Sequence, residues 1–344
     1  MNRIPLDKVE FYITNVCNYN CTDCNRLNNY QFSGHQYWDD YKEYYKKWSK
    51  KLSLGNIAIL GGEPTLNKTL NKWMYGISEL WPDTKKKSVL TNGTRLGYWK
   101  DIYQTLCDTK VTVVVSTHGR QKYKDTVTQI ENILEHPIKR NYDCDLTQWI
   151  NAYNDVKDPL WPACSTIDDF HNLPIDIQKE CVEIHKIDPD NFIKNTGTLK
   201  LVDKNGVEFI VKYYEMFVTA PLRYNFDDTF SVYNSNPTQA HNVCISKHCH
   251  HFVRGKLYKC HHVALLPEFE EQYNVLMTND QRNLLHSYTP ATVNNTQTEL
   301  QEFVNDIKDV IPQCSLCPST LVDVPVNASN EKLKVKKKIP ISNV

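Results

Sequence analysis

The chain has 344 residues, with 40 Lys+Arg against 40 Asp+Glu, so its formal net charge is zero and no whole-chain field draws it to nucleic acid or an anionic membrane. No apolar run approaches the ~20 residues that span a bilayer, and the segment Met1–Asp7 lacks the apolar stretch of a secretory signal. These features predict a soluble, cytoplasmic protein with no membrane partner, whose 12 cysteines are metal ligands or small buried side chains rather than disulfides.

From residue 9 to about residue 135, short β-branched runs alternate with helical periodicity, the pattern of βαβ units and a parallel sheet. The predicted strands cover 9–14, 56–61, 87–91 and 111–116. Between them, Tyr37, Tyr41, Tyr44, Trp48 and Leu52 recur at helical spacing, as do Leu66, Leu70, Trp73, Ile77 and Leu80, and then Tyr123, Val127, Ile130 and Leu134. These stripes read as core faces. A fifth strand is expected at 146–150, a Pro- and Asp-rich inserted loop at 155–174 and a helix at 175–187. Thr198–Asp203, Lys204-Asn205-Gly206 and Val207–Val211 read as a hairpin, with Asn-Gly supplying the positive φ of a tight turn. A loop-rich stretch at 225–239 precedes a cysteine- and histidine-rich region. The lysines 332, 334, 336, 337 and 338 mark a basic tail expected to be solvated and frayed.

The chemistry starts directly after the first strand, where Cys17, Cys21 and Cys24 are spaced C-x3-C-x2-C. Three thiolates on one loop can hold three irons of a four-iron cluster and leave the fourth open to a small molecule. A closed zinc site takes four ligands, and this triplet has no fourth nearby. The second strand ends in Gly61-Gly62-Glu63-Pro64, the third in Thr91-Asn92-Gly93-Thr94 and the fourth in Ser116-Thr117-His118-Gly119. In parallel α/β folds ligands gather at the carboxyl ends of strands, so these clusters point to one shared site.

Together these motifs, in this order, resemble the radical S-adenosylmethionine (SAM) enzymes over roughly the first 120 residues. The resemblance implies an α/β fold, a partial (β/α)6 TIM-like barrel over residues 1–235 with an insertion at about 140–197. It further implies that Cys17, Cys21 and Cys24 hold a 4Fe-4S cluster whose fourth iron is chelated by SAM. One electron then cleaves SAM to a 5′-deoxyadenosyl radical that abstracts hydrogen from substrate. Gly61, Gly62 and Glu63 would hold the SAM amino group, with Pro64 beside them in the cofactor-binding turn, and Asn92, Ser116 and His118 would contact its ribose or carboxylate. His118 reads equally as a structural histidine. The residue before the third cysteine, commonly aromatic in that family, is here Asp23.

Cys244 and Cys260, with Gly255 in a G-x4-C spacing, and the later pair Cys314-x2-Cys317 supply four more thiols. The arrangement is similar to the Twitch or shortened SPASM extension, a cysteine-rich C-terminal domain at 240–322 with a second 4Fe-4S cluster, followed by the tail at 323–344. Zinc is the alternative, because His248, His250, His251, His261 and His262 crowd this segment. Cys249 either replaces Cys244 as a ligand or is a free thiol. Cys107, Cys144, Cys164 and Cys181 lack ligand spacing and read as buried side chains, with a hydrogen-donating role for Cys164 or Cys181 as the other reading. An electron donor such as flavodoxin or ferredoxin is implied as partner. The favoured substrate is a peptide or protein, given 20 tyrosines and long polar loops. Rival readings are a non-catalytic iron–sulfur or zinc protein on the same scaffold, and a radical SAM enzyme acting on a nucleotide, RNA or sugar.

Overall fold

Alternating apolar residues in Ile4–Tyr12 and Leu52–Leu60 give way in each to four consecutive buried positions, so both strands begin half covered and end covered on both faces. The computed structural model describes residues 3–21, 23–117, 120–143, 198–213, 216–218, 222–325, 328–329 and 335–338, with isolated positions between 154 and 177. The predicted strand at 146–150, most of the loop and helix at 155–187, His118, Cys144, Cys164 and Cys181 lie outside the described residues.

In chain order the elements begin β1 (Ile4–Tyr12), β2 (Asn20–Cys21), α1 (Trp38–Lys51), β3 (Leu52–Leu60), α2 (Leu70–Leu80), β4 (Lys86–Thr91) and α3 (Ile102–Thr109). They continue β5 (Thr112–Thr117), α4 (Arg120–Ile133), β6 (Lys139–Asp143), β7 (Thr198–Val202), β8 (Glu208–Tyr213), β9 (Met216–Val218), β10 (Arg223–Tyr224) and β11 (Thr229–Ser231). The last are α5 (Pro237–Val243), β12 (His250–Val253), β13 (Lys256–Tyr258), α6 (His261–Gln272), β14 (Asn274–Leu276), α7 (Asn279–His286), α8 (Gln297–Asp306), β15 (Asp323–Pro325) and β16 (Ala328–Ser329). The fold is mixed α/β, and the chain divides into two compact units.

The first unit comprises residues 1–91, 99–111 and 216–344. Its strands β12, β1, β3 and β4 run parallel, with β13 returning antiparallel beside β12. One sheet face carries Phe11 and Phe252, 5.0 Å apart between ring centroids, packed on Tyr45, Trp48 and Trp73 of the first two helices. The other face carries Tyr12, Leu60 and Val253, packed on Leu27, Tyr30 and Phe32 from the loop after the cysteines and on Leu265 and Phe269 of α6. In α1 the buried face is Trp38, Tyr45 and Trp48, while Tyr37 and Tyr44 of the expected stripe are exposed. Tyrosine can face water with its hydroxyl, so Tyr37 and Tyr44 leave the expected face while Trp48 and Leu52 are buried as expected.

The second unit comprises residues 92–98 and 112–215. There β5 pairs parallel with β8, and β6, β7 and β8 form an antiparallel meander. The β7–β8 hairpin is present with a different turn. Only Gly206 has positive φ, at 78°, and Asp203 Oδ1 accepts the amides of Asn205 and Val207, which makes a longer loop than a two-residue Asn-Gly turn. The β12–β13 hairpin carries positive φ at both Arg254 (49°) and Gly255 (74°), a type I′ signature.

Residues 216–344 fall in the same compact unit as residues 1–91, and β12 pairs directly with β1. Described residues of the C-terminal segment have partners: β15 pairs with β9, β16 pairs with β2, Val335 is buried, and the Lys338 amide donates to the Gln272 carbonyl at 2.9 Å. Burial of the Val335 side chain stabilises by about 1.5–3 kcal/mol. No helix among the described residues is long and apolar enough to cross a membrane.

Candidate functional site

Beyond the end of β1, the pairing between neighbouring chains continues into the loops. The Ile13 amide donates to the Leu60 carbonyl at 2.8 Å, Gly62 to Thr14 at 2.7 Å and Glu63 to Val16 at 2.8 Å. Cys17 begins where this zipper stops. A Cβ on Gly61 would lie 2.5 Å from the Thr14 carbonyl oxygen, and one on Gly62 would lie 2.3 Å from that of Val16 and 3.0 Å from the Cys17 Cβ. The glycines expected to admit a ligand therefore admit the backbone that leads into the cysteines.

The rest of the loop is held by buried amides. Asn28 Nδ2 donates to the Tyr12 hydroxyl at 3.0 Å and to the Asn15 carbonyl at 2.6 Å. Asn15 Nδ2 donates to the Ser33 carbonyl and to Glu268, and Gln36 Nε2 donates to the Tyr12 carbonyl at 2.6 Å. Asn67 Nδ2 donates to the carbonyls of Ile13 and Gln36, both at 2.8 Å. Leaving any one of these buried groups unpaired would cost about 1–3 kcal/mol, which makes the loop's path a single solution.

Cys17, Cys21 and Cys24 are each partly buried. The Tyr19 amide donates to Cys17 Sγ at 3.4 Å. Burial first, then the negative charges of Cys21, Cys17 and Glu63, push the Tyr19 hydroxyl up to about 12, so these three acidic groups share the surroundings of one tyrosine. Glu63 is fully buried and is the N-cap of a short 3-10 turn starting at Pro64. Its Oε1 accepts from the Thr65 amide at 3.1 Å and from the hydroxyls of Thr65 and Thr91, each at 2.6 Å. Asp23 has φ 53°, a left-handed conformation that a short polar side chain tolerates and a large aromatic one resists. Backbone geometry thus accounts for the unusual residue in the motif. The strand pair Cys21↔Ala328 and Asn20↔Ser329 lays the C-terminal segment along the loop.

Asn92 and Ser116 belong to the second unit. Asn92 Oδ1 accepts from the Thr94 amide at 3.0 Å and hydroxyl at 2.6 Å, and Ser116 sits on β5 in register with Lys212.

The other cysteines gather from three segments. Cys244 follows α5, Cys260 is the N-cap of α6, and Cys314 and Cys317 sit in and after a 3-10 turn at Pro312–Leu316. All four line one cavity, together with His262 and Lys259. Burial pushes the Cys260 thiol up to about 11, with the charges of Cys244 and Cys314 adding to it, and it pushes Cys317 well above the ordinary range, again with its three neighbours adding. Mutual repulsion of this kind is relieved by a bound cation, against which coordinating thiols are deprotonated. Among the described residues, no three His, Cys, Asp or Glu side chains are disposed to hold a single metal ion; the four thiols lie around cavity walls instead. Cys249 is elsewhere, with Lys8 Nζ donating to its Sγ at 2.9 Å, and Cys107 on α3 is partly buried.

Sequence reasoning missed Thr65 and Asn67, and it left Thr91 without a role. The clue for Thr65 was its position two residues beyond a capping acid. Thr91 shows itself only when β4 is laid beside β3.

No family model matches the chain, and no curated protein matches its sequence. Solved structures match over part of it. SuiB of Streptococcus suis bound to S-adenosylmethionine is 23% identical, with a TM-score of 0.26, covering 33% of this chain and 25% of that one. SuiB bound to the precursor peptide SuiA is 22% identical with a TM-score of 0.27, covering 33% and 24%. The protein anSMEcpe with bound AdoMet and Cp18Cys peptide is 21% identical with a TM-score of 0.29, covering 38% and 40%. The likeness spans well under two thirds of the length of each of these neighbours.

Proposed function

We propose that this protein is a radical SAM enzyme. The observation that carries the reading is the zipper of Gly62 and Glu63 onto Thr14 and Val16, which fixes a buried carboxylate beside the loop of Cys17, Cys21 and Cys24. These three cysteines bind a 4Fe-4S cluster, and the Tyr19 amide bonds to the Cys17 sulfur. The donor set fits: three partly exposed thiols on one loop leave one corner of a cluster without a protein ligand. When bound, the cluster supplies the electron that cleaves SAM to a 5′-deoxyadenosyl radical able to take hydrogen from substrate. Gly61, Gly62 and Pro64 shape the turn, and Glu63 receives the SAM ammonium group, its carboxylate oriented by Thr65 and Thr91. Asn92, Ser116 and His118 are assigned to ribose or carboxylate.

Cys244, Cys260, Cys314 and Cys317 hold a second 4Fe-4S cluster, a role supported by four thiols on the walls of one cavity; zinc is the alternative occupant. Flavodoxin or ferredoxin is the class of electron donor, and a peptide or protein is the class of substrate. The decisive experiment supplies SAM and dithionite to anaerobically purified protein. Steady formation of 5′-deoxyadenosine is expected, and Cys24→Ala abolishes it. Retained cleavage in that variant overturns the assignment, and no cleavage by the unaltered protein favours a non-catalytic metal protein. Deuterium transfer into 5′-deoxyadenosine from host extract identifies the substrate.

A further inference from the structure

His262, the second residue of α6, is 4% exposed, and both of its ring nitrogens are buried without a hydrogen-bond partner. Its ring lines two cavities that share Cys244, Cys260 and Cys317; one of them adds Cys314 and the other adds Asn25 and His261. An imidazole carries at least one N–H in every protonation state, and a buried N–H without an acceptor is rare in a folded protein. His261 also lacks partners, but its ring lies 5.4 Å from that of His251, which stands beside Glu10. His262 lines its cavity with all four cysteines, and with His241, Lys247, Lys259 and Gln313.

We propose that His262 donates a hydrogen bond from its ring N–H to a sulfur of the cluster held by Cys244, Cys260, Cys314 and Cys317, and so raises that cluster's reduction potential. The inference rests on the iron–sulfur reading of this cavity. Reduction adds negative charge to the sulfurs, and a donor aimed at them stabilises the reduced form. His262 is a positioning and tuning residue rather than a ligand.

The test uses the full chain carrying Cys24→Ala, so that only the second group binds iron. Iron and zinc content come first: roughly four irons per chain support the cavity reading, whereas zinc in place of iron overturns that reading and this inference with it. The midpoint potential is then measured by redox titration followed by electron paramagnetic resonance. His262→Phe, which keeps bulk and removes the donor, is expected to lower the potential by about 59 mV, a tenfold weaker reduction equilibrium for one electron. His262→Gln, which keeps a donor, is expected to restore most of the shift. An unchanged potential in His262→Phe, or loss of iron from both variants, overturns the proposal.

Discussion

The loop of Cys17, Cys21 and Cys24 gathers its thiols within one short stretch of chain, and they remain partly open. Cys244, Cys260, Cys314 and Cys317 come from the end of one helix, the start of another and a distant 3-10 turn, into a cavity where burial and mutual charge push the Cys260 and Cys317 thiols up. The first group is shaped by backbone: glycines pressed on the Thr14–Cys17 chain and a web of asparagine and glutamine amides. The second is shaped by side-chain packing between helices. All seven cysteines are partly buried, so what separates the groups is how the chain gathers them: one local loop against three distant segments.

The largest effect that would separate the two groups is in metal content. Cys317→Ala is expected to reduce iron from roughly eight to about four per chain while 5′-deoxyadenosine formation at the first group persists; unchanged iron would dissolve the distinction. Next is Gly62→Ala, whose methyl would sit 2.3 Å from the Val16 carbonyl oxygen. It should cost about 1–3 kcal/mol of stability and release iron from the first group alone, read by thermal unfolding and iron analysis. An unaltered melting temperature would show that the zipper has slack.

A pH series probes the histidine-rich segment beside the second group. Burial, with the charges of Lys259 and Lys308, holds His250 down to about 4, and burial holds His251 well below the ordinary range. The unfolded chain binds protons at these residues below about pH 6.5 and the folded chain does not, so their contribution is full above that pH and is lost as pH falls toward 4. Each such histidine steepens the loss by up to about 1.4 kcal/mol per pH unit. Urea unfolding should show falling stability from pH 7 to pH 5, and a flat profile would mean these rings are not held neutral. The smallest effect expected is for the C-terminal segment, where Val335→Ala should cost about 1 kcal/mol and leave iron content at both groups unchanged. Release of iron from the first group in that variant would show that the segment paired with Cys21 supports the loop.

The first group was legible because its determinants are local. Cysteine spacing, the Gly-Gly-Glu-Pro turn and the strand runs around it are properties of short stretches, and the strands appeared within a few residues of their expected bounds, β1 and β3 extending further toward their N-termini. The helices α7 and α8 were not foreseen, although Thr278 with Gln281 and Thr296 with Glu299 form capping boxes that mark their starts. The cysteine-rich region drew attention to metal and away from helical punctuation.

By itself, the sequence determined the parallel strand pattern and the cysteine triplet with its glycine turn, because hydrophobic period, spacing and turn chemistry act over a few residues. Tertiary structure alone decided that Gly61 and Gly62 make room for backbone, that Thr65 and Thr91 orient Glu63, and that Cys249 pairs with Lys8 while four other thiols share a cavity. It also decided that Ala328 and Ser329 pair with Cys21 and Asn20. Each depends on which distant segments meet, and that is settled by packing of the whole unit, where no short window of sequence carries the information.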